Sequence, residues 1–216
     1  MTIENTNVSR RTLVKGAAWS LPVVAVAAAT PLAAASTTAN GVAWTDSSTS
    51  LLALRVLDSA SVITATALVT VPTEFSITTG TATAGFSALA AQDATVSINV
   101  GRPAGINIPL GTARGFGVYS VDGVATAAGE RTATYNQVLG ANIGFPATTW
   151  TGTRSVTLPS NGTLAIPVEF GLAGTNSGIS VSLLATFPVS LSVTLPGGSP
   201  LTASTTISVP VGAGIL

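Results

Sequence analysis

The chain has 216 residues, of which 46% are hydrophobic and only 7% are charged, with eight basic and eight acidic side chains and no net charge. Such sparse and mixed charges cannot release many counterions from a phosphate backbone or hold an anionic lipid surface, which argues against nucleic acid and membranes as partners. The absence of cysteine and histidine excludes disulfides, zinc–thiolate sites and Ser-His-Asp catalysis.

The amino terminus carries an export motif. The segment Ser9–Lys15 contains a serine, the twin arginines Arg10 and Arg11, a variable residue, two apolar residues and a lysine. This segment resembles the signal peptides of the bacterial twin-arginine (Tat) pathway. A mildly apolar stretch over residues 16–32, expected to form the signal-peptide helix, follows the motif as it does in that family.

The signal segment is predicted to end at a cleavage site. Small residues at Ala33 and Ala35 fit the pocket of a signal peptidase, so we expect the mature chain to begin at Ser36. The alternative is retention of the segment as an uncleaved anchor. The resemblance implies the Tat translocase and signal peptidase as partners during export, and a secreted or cell-surface protein with no membrane contact after cleavage.

After the signal segment, apolar residues recur mainly at every second position, which is the period of a strand with one buried face. The pattern predicts an all-β domain, an antiparallel β-sandwich of about ten short strands. The candidate strands are 51–57, 61–71, 74–79, 96–100, 116–121, 131–135, 150–158, 163–170, 179–187, 189–195 and 207–211.

Two clusters of turn-forming residues lie between candidate strands, at 159–162 and 196–200, and each predicts a hairpin. The strand before the second turn shows the most regular alternation in the chain. Four aliphatic side chains are predicted to share its buried face: Val189, Leu191, Val193 and Leu195.

The mature region is long enough for one domain with a sizeable core. We therefore predict a signal peptide over 1–35 and one β-sandwich domain over 36–216. Two small β domains are the alternative, divided near 101–115, where glycine and proline accumulate, or near 138–148.

Few side chains of the mature region are suited to catalysis. It contains neither histidine nor lysine, so the usual general base, metal ligand and amine nucleophile are missing. No motif for a cofactor or a metal ion is present, and neither is predicted. Two carboxylates can hydrolyse a glycoside, but the spacing of the acidic residues singles out no pair.

Three aromatic residues are candidates for ligand binding. Trp44, Trp150 and Tyr119 could each stack on a sugar ring if they lie on an exposed sheet face. The alternative is that they pack in the core, since a chain with so few large side chains needs them there.

These observations predict a non-catalytic, exported structural or adhesin-like β protein whose partners are other copies of itself or cell-surface glycans. A carbohydrate-binding module is the first alternative, and a carboxylate-pair glycosidase is the second.

Overall fold

The computed structural model describes residues 39–50, 53–64, 68–79, 91–104, 111–159, 162–175 and 185–209. These residues belong to one compact unit. The residues of the predicted signal motif and cleavage site, Arg10, Arg11, Ala33, Ala35 and Ser36, lie outside the described residues, so export and cleavage stay predictions from the sequence.

The described residues confirm the predicted all-β, antiparallel class. Their secondary structure consists of twelve strands and one 3₁₀ turn: β1 Ala39–Ser50, β2 Ala53–Arg55, β3 Val62–Thr64, β4 Val69–Thr79, β5 Gln92–Val100, β6 Gly115–Val121, β7 Val124–Ala125, η1 Ala128–Glu130, β8 Arg131–Val138, β9 Ala141–Val156, β10 Thr163–Ala173, β11 Ala185–Thr194 and β12 Leu201–Val209. No helix in this part of the chain is long and apolar enough to cross a membrane.

Ten of these strands form one hydrogen-bonded sheet, in the order β7-β6-β10-β4-β12-β11-β5-β9-β8 with β1 paired to β4, and β2 and β3 form a separate ribbon. Strand β10 pairs with β4 through residues 163–167 and with β6 through residues 168–173. Near the other end of the order, Gly144 of β9 forms a parallel bridge with Thr112, shortly before β6. The sheet therefore curls until strands near its two ends touch.

Curling brings two layers face to face, as a sandwich requires. Phe187 of β11 meets Phe116 of β6 and Phe145 of β9 edge-on, with ring centroids 5.1 and 5.3 Å apart. One cluster of buried side chains fills the space between the layers, and strands on both sides of residues 101–115 contribute to it. The two layers are parts of one continuous sheet, because β10 pairs with β4 along its first half and with β6 along its second half.

The predicted hairpin around residues 196–200 is confirmed. Strands β11 and β12 pair over nine residues, from Ala185 opposite Val209 to Val193 opposite Leu201. Val189, Leu191 and Val193 are each at most 1% exposed and Leu195 is 7% exposed, while the serines between them point away from the core. The recurrence of apolar residues at every second position therefore correctly predicted both the strand and its buried face.

The predicted hairpin around residues 159–162 is wrong. Strand β9 pairs with β5 and β8, and β10 pairs with β4 and β6, so the two strands that flank this turn are not partners in the described residues. A turn fixes where the chain changes direction, but burial in the curled sheet decides which strands pair.

Arg102 donates hydrogen bonds to backbone carbonyls at an irregularity in the β8–β9 pairing. Pro146 lies within β9 and has no N–H to donate, and the register shifts between Thr134 and Asn136 on β8. The Arg102 guanidinium donates to the carbonyls of Phe145 at 3.1 Å and Thr134 at 2.6 Å. These two bonds supply donors to backbone oxygens at the irregularity.

Candidate functional site

Tyr119 lies on β6 and is half-buried at the rim of a groove. Arg55, at the end of β2, donates from its Nη1 to the Tyr119 hydroxyl at 3.0 Å, and its guanidinium carbon is 5.1 Å from the ring centroid. The cation therefore covers part of the aromatic face while the hydroxyl is held in place.

The groove beside Tyr119 has a volume of about 260 Å³ and combines an apolar floor with a polar rim. Leu54 and Phe170 contribute to the floor, and Arg55 and Glu169 bring opposite charges to the rim. A pocket with an apolar floor and a few convergent polar groups is the ordinary form of a small-ligand site. We call this pocket the Tyr119 groove.

The carboxylate of Glu169 is fixed from a neighbouring strand. Ser120 of β6 donates its hydroxyl to Glu169 Oε2 of β10 at 3.0 Å. The carboxylate retains lone pairs that can accept further hydrogen bonds from a ligand in the groove. The groove thus presents an acceptor in Glu169 and a donor in Arg55.

Trp44 lies near the Tyr119 groove but does not line it. Its half-buried indole packs against Phe75, edge-on at 5.9 Å between ring centroids, and against Phe170 at 6.3 Å. Among the described residues, its buried Nε1 has no hydrogen-bond partner. Trp44 therefore supports Phe170, which forms part of the groove floor.

Trp150 is placed in the core and does not line the Tyr119 groove. Its side chain is 1% exposed, with Nε1 donating to Glu130 Oε2 at 2.9 Å and the Arg154 guanidinium 4.9 Å from the ring centroid. A Cβ at Gly152 would lie 2.5 Å from the indole, so a glycine leaves the space that the ring occupies. The ring packs in the core, and it lines a cavity instead of presenting a face on the exposed surface of the sheet. The core position was the alternative that the sequence left open for it.

A second cavity, of about 140 Å³, is lined in part by β8 and β9, and Trp150 is among its lining residues. The ion pair between Arg131 Nη2 and Asp58 Oδ1, 2.5 Å apart, lies at its wall. The two residues are 73 positions apart, and no local pattern in the sequence connects them. We call this space the Arg131 cavity.

Glu130 gives the domain one pH-sensitive contact. Its carboxylate accepts hydrogen bonds from Trp150 and from the Ala127 N–H, which favour the charged form and hold the pKa of Glu130 below its ordinary value of 4.5. A carboxyl whose pKa is lower in the folded state stabilises the fold above the unfolded pKa, and this contribution is lost as the pH falls through the folded value.

Glu130→Gln is therefore expected to lower the free energy of unfolding near neutral pH and to lose this effect in acid. Glutamine keeps an oxygen for Trp150 but removes the charge, so the difference from the wild type should shrink as the pH falls below about 4.5. Urea unfolding of both proteins across this range measures it. A difference that stays constant with pH would contradict the assignment of the charged form.

The described residues contain no group of three or more side chains arranged to hold a metal ion. No family model, curated protein or solved structure matches the chain.

Proposed function

We propose that the chain is an exported, non-catalytic β protein with a structural or adhesin-like role at the cell surface or in the extracellular matrix. The twin-arginine motif supports export, and a Tat substrate of this kind would cross the membrane already folded. A domain without disulfides that is held by one buried β core suits that route.

The distribution of the carboxylates is the observation that carries the non-catalytic part of the proposal. Each of the two cavities described above is lined by one carboxylate, Glu169 in the Tyr119 groove and Asp58 in the Arg131 cavity. Both already bind a side chain of the protein, Ser120 and Arg131 respectively. Glycoside hydrolysis by carboxylates needs two of them to face one sugar.

The surface location can be tested on intact cells that produce the full chain. An added protease, or an antibody against the mature domain, should reach the protein without lysis, and cells that lack the gene should attach less to surfaces or to each other. Access only after lysis would contradict the proposal, as would unchanged attachment when the protein is absent.

Glycan binding in the Tyr119 groove is the second candidate function. It is favoured by the groove itself, where an aromatic ring, a donor in Arg55 and an acceptor in Glu169 surround an apolar floor. Sugars are recognised by this combination of stacking and paired hydrogen bonds.

A glycan array with the mature protein tests this second function. Binding that is lost in Tyr119→Ala but retained in Tyr119→Phe would place the sugar on the ring, while a blank array would exclude the glycans printed on it. Ser190→Ala is a suitable control, because Ser190 is exposed on β11 and does not line the groove.

A further inference from the structure

The curled sheet leaves three strand edges without a partner in the described residues, and they differ in how they are protected. Strand β7 has only two residues, and β1 is interrupted by three register shifts and carries Asp46. Short strands, bulges and charges are the ordinary means by which proteins prevent edges from pairing with other chains. Strand β8 is eight residues long, has one register shift against β9 and carries no unpaired charge, so it is the edge with the least protection.

Strand β8 has the composition of a strand that can accept a partner. Its one charged residue is Arg131, which is held by Asp58, and residues 132–153 contain no charge at all. Threonine and tyrosine, which favour extended structure, make up three of its eight residues. Six of the eight side chains are exposed, so a second chain could approach the edge.

The turn that follows β8 exposes an apolar side chain at a conformational cost. Leu139 is 103% exposed and has a φ of 50°, a left-handed conformation that leucine rarely adopts. Val138 beside it is 52% exposed. Glycine or asparagine would form this turn at lower cost, and a polar residue would be better solvated.

We propose that β8 pairs with β8 of a second copy of this chain, antiparallel about a two-fold axis, and joins two sheets into one. The antiparallel direction follows from charge: it places Arg131 of the two copies at opposite ends of the ladder, whereas parallel pairing would set them side by side. A two-fold contact uses the same surface of both copies and closes at a dimer.

An axis centred on Tyr135 gives chemically compatible neighbours. Tyr135 then lies opposite the same residue of the second copy and Thr132 lies opposite Val138, while Leu139, in the turn just past the ladder, comes near Arg131 of the second copy. Aromatic and β-branched pairs of this kind stabilise antiparallel strands. Tyr135 is also fixed within its own chain, since its hydroxyl accepts from the Thr175 N–H at 2.7 Å.

The same register gives the exposed leucine a place to pack. Leu139 of one copy reaches the end of β8 where Arg131, Thr132 and Ala133 of the other line the Arg131 cavity. A cavity of about 140 Å³ is close to the size that accommodates benzene in an engineered protein core, about 150 Å³. Burial there would offset the cost of the left-handed turn.

The pairing rests on the proposed structural role, because it names a second copy as the partner. Its test is separate from the test of surface location, since it is made on mature protein purified from culture fluid. If the pairing fails, the results on intact cells are unchanged. If the surface location fails, the sedimentation results on the purified protein are unchanged.

Sedimentation velocity over a concentration series is expected to show a monomer–dimer equilibrium for the wild type. Asn136→Lys puts a charge next to the axis, opposite Thr134 of the second copy and diagonal to that copy's own substitution, and should weaken the dimer at least tenfold. Ala43→Lys, which adds the same charge on the β1 edge, should leave the dimer unchanged. A wild type that is monomeric throughout, or a dimer weakened only by Ala43→Lys, overturns the proposal.

Two further variants address folding and register. Leu139→Asn suits the left-handed turn and should raise the melting temperature of the monomer while weakening the dimer, which a merely misfolded variant would not do. The double variant Ala133→Cys and Gln137→Cys has no other cysteine to compete and should form a disulfide-linked dimer on oxidation. Failure to cross-link under conditions where sedimentation shows a dimer would overturn this register.

Discussion

Val193→Asp is expected to destabilise the domain by several kcal/mol, on the order of its whole stability. Val193 is 0% exposed, and β11 is flanked on both edges, with Leu201 of β12 and Val96 of β5 opposite this residue. The carboxylate would have no charged partner in this apolar face. It would have to remain ionised in the core or become protonated at a cost in free energy.

Thr194→Asp is the matched control, one position further along β11. Thr194 is half-buried on the other face of the strand, opposite Thr95 of β5, so its variant should lose much less stability. Thermal and urea unfolding of both variants compare them directly. Equal losses would mean that β11 is buried on both faces, which would contradict the alternation of its side chains.

The elements that could be predicted from sequence are those whose burial follows a local period. Strand β11 has one face in the core and one outside it. The alternation of apolar and polar side chains therefore predicts both that the segment is a strand and which of its side chains are buried. Strand β1 was not among the predicted strands. It is a polar edge strand, and its apolar residues are too few to produce a period of two.

Features that depend on distant residues could not be predicted from sequence. Asp58 forms an ion pair with Arg131, and Arg55 contacts Tyr119; both contacts join residues far apart in the chain. The local spacing of residues in the sequence predicts neither contact. The burial of Trp150 depends on Gly152 beside it and on Glu130 beneath its N–H. A tryptophan on a predicted strand gives no indication of which face it will occupy when both faces contain small residues.

Replacement of both Arg10 and Arg11 by lysine is expected to abolish export of the full chain. In the Tat family that the motif resembles, the receptor recognises the two guanidinium groups, and lysine supplies the charge without the planar set of five donors. The precursor should accumulate in the cytoplasm at its full mass. Wild-type cells should release a mature protein whose first residue is Ser36, as amino-terminal sequencing of the secreted product would show.

The control for this prediction is Lys15→Arg, which keeps a positive charge in the signal segment and leaves the arginine pair intact. Its export should match the wild type, so a loss confined to the double lysine variant would be due to the guanidinium groups and not to the number of charges. Fractionation and immunoblotting of the cytoplasm and the culture fluid measure both variants. Unchanged secretion of the double lysine variant would mean that another feature of residues 1–35 directs the chain outward, and the Tat assignment would then be wrong.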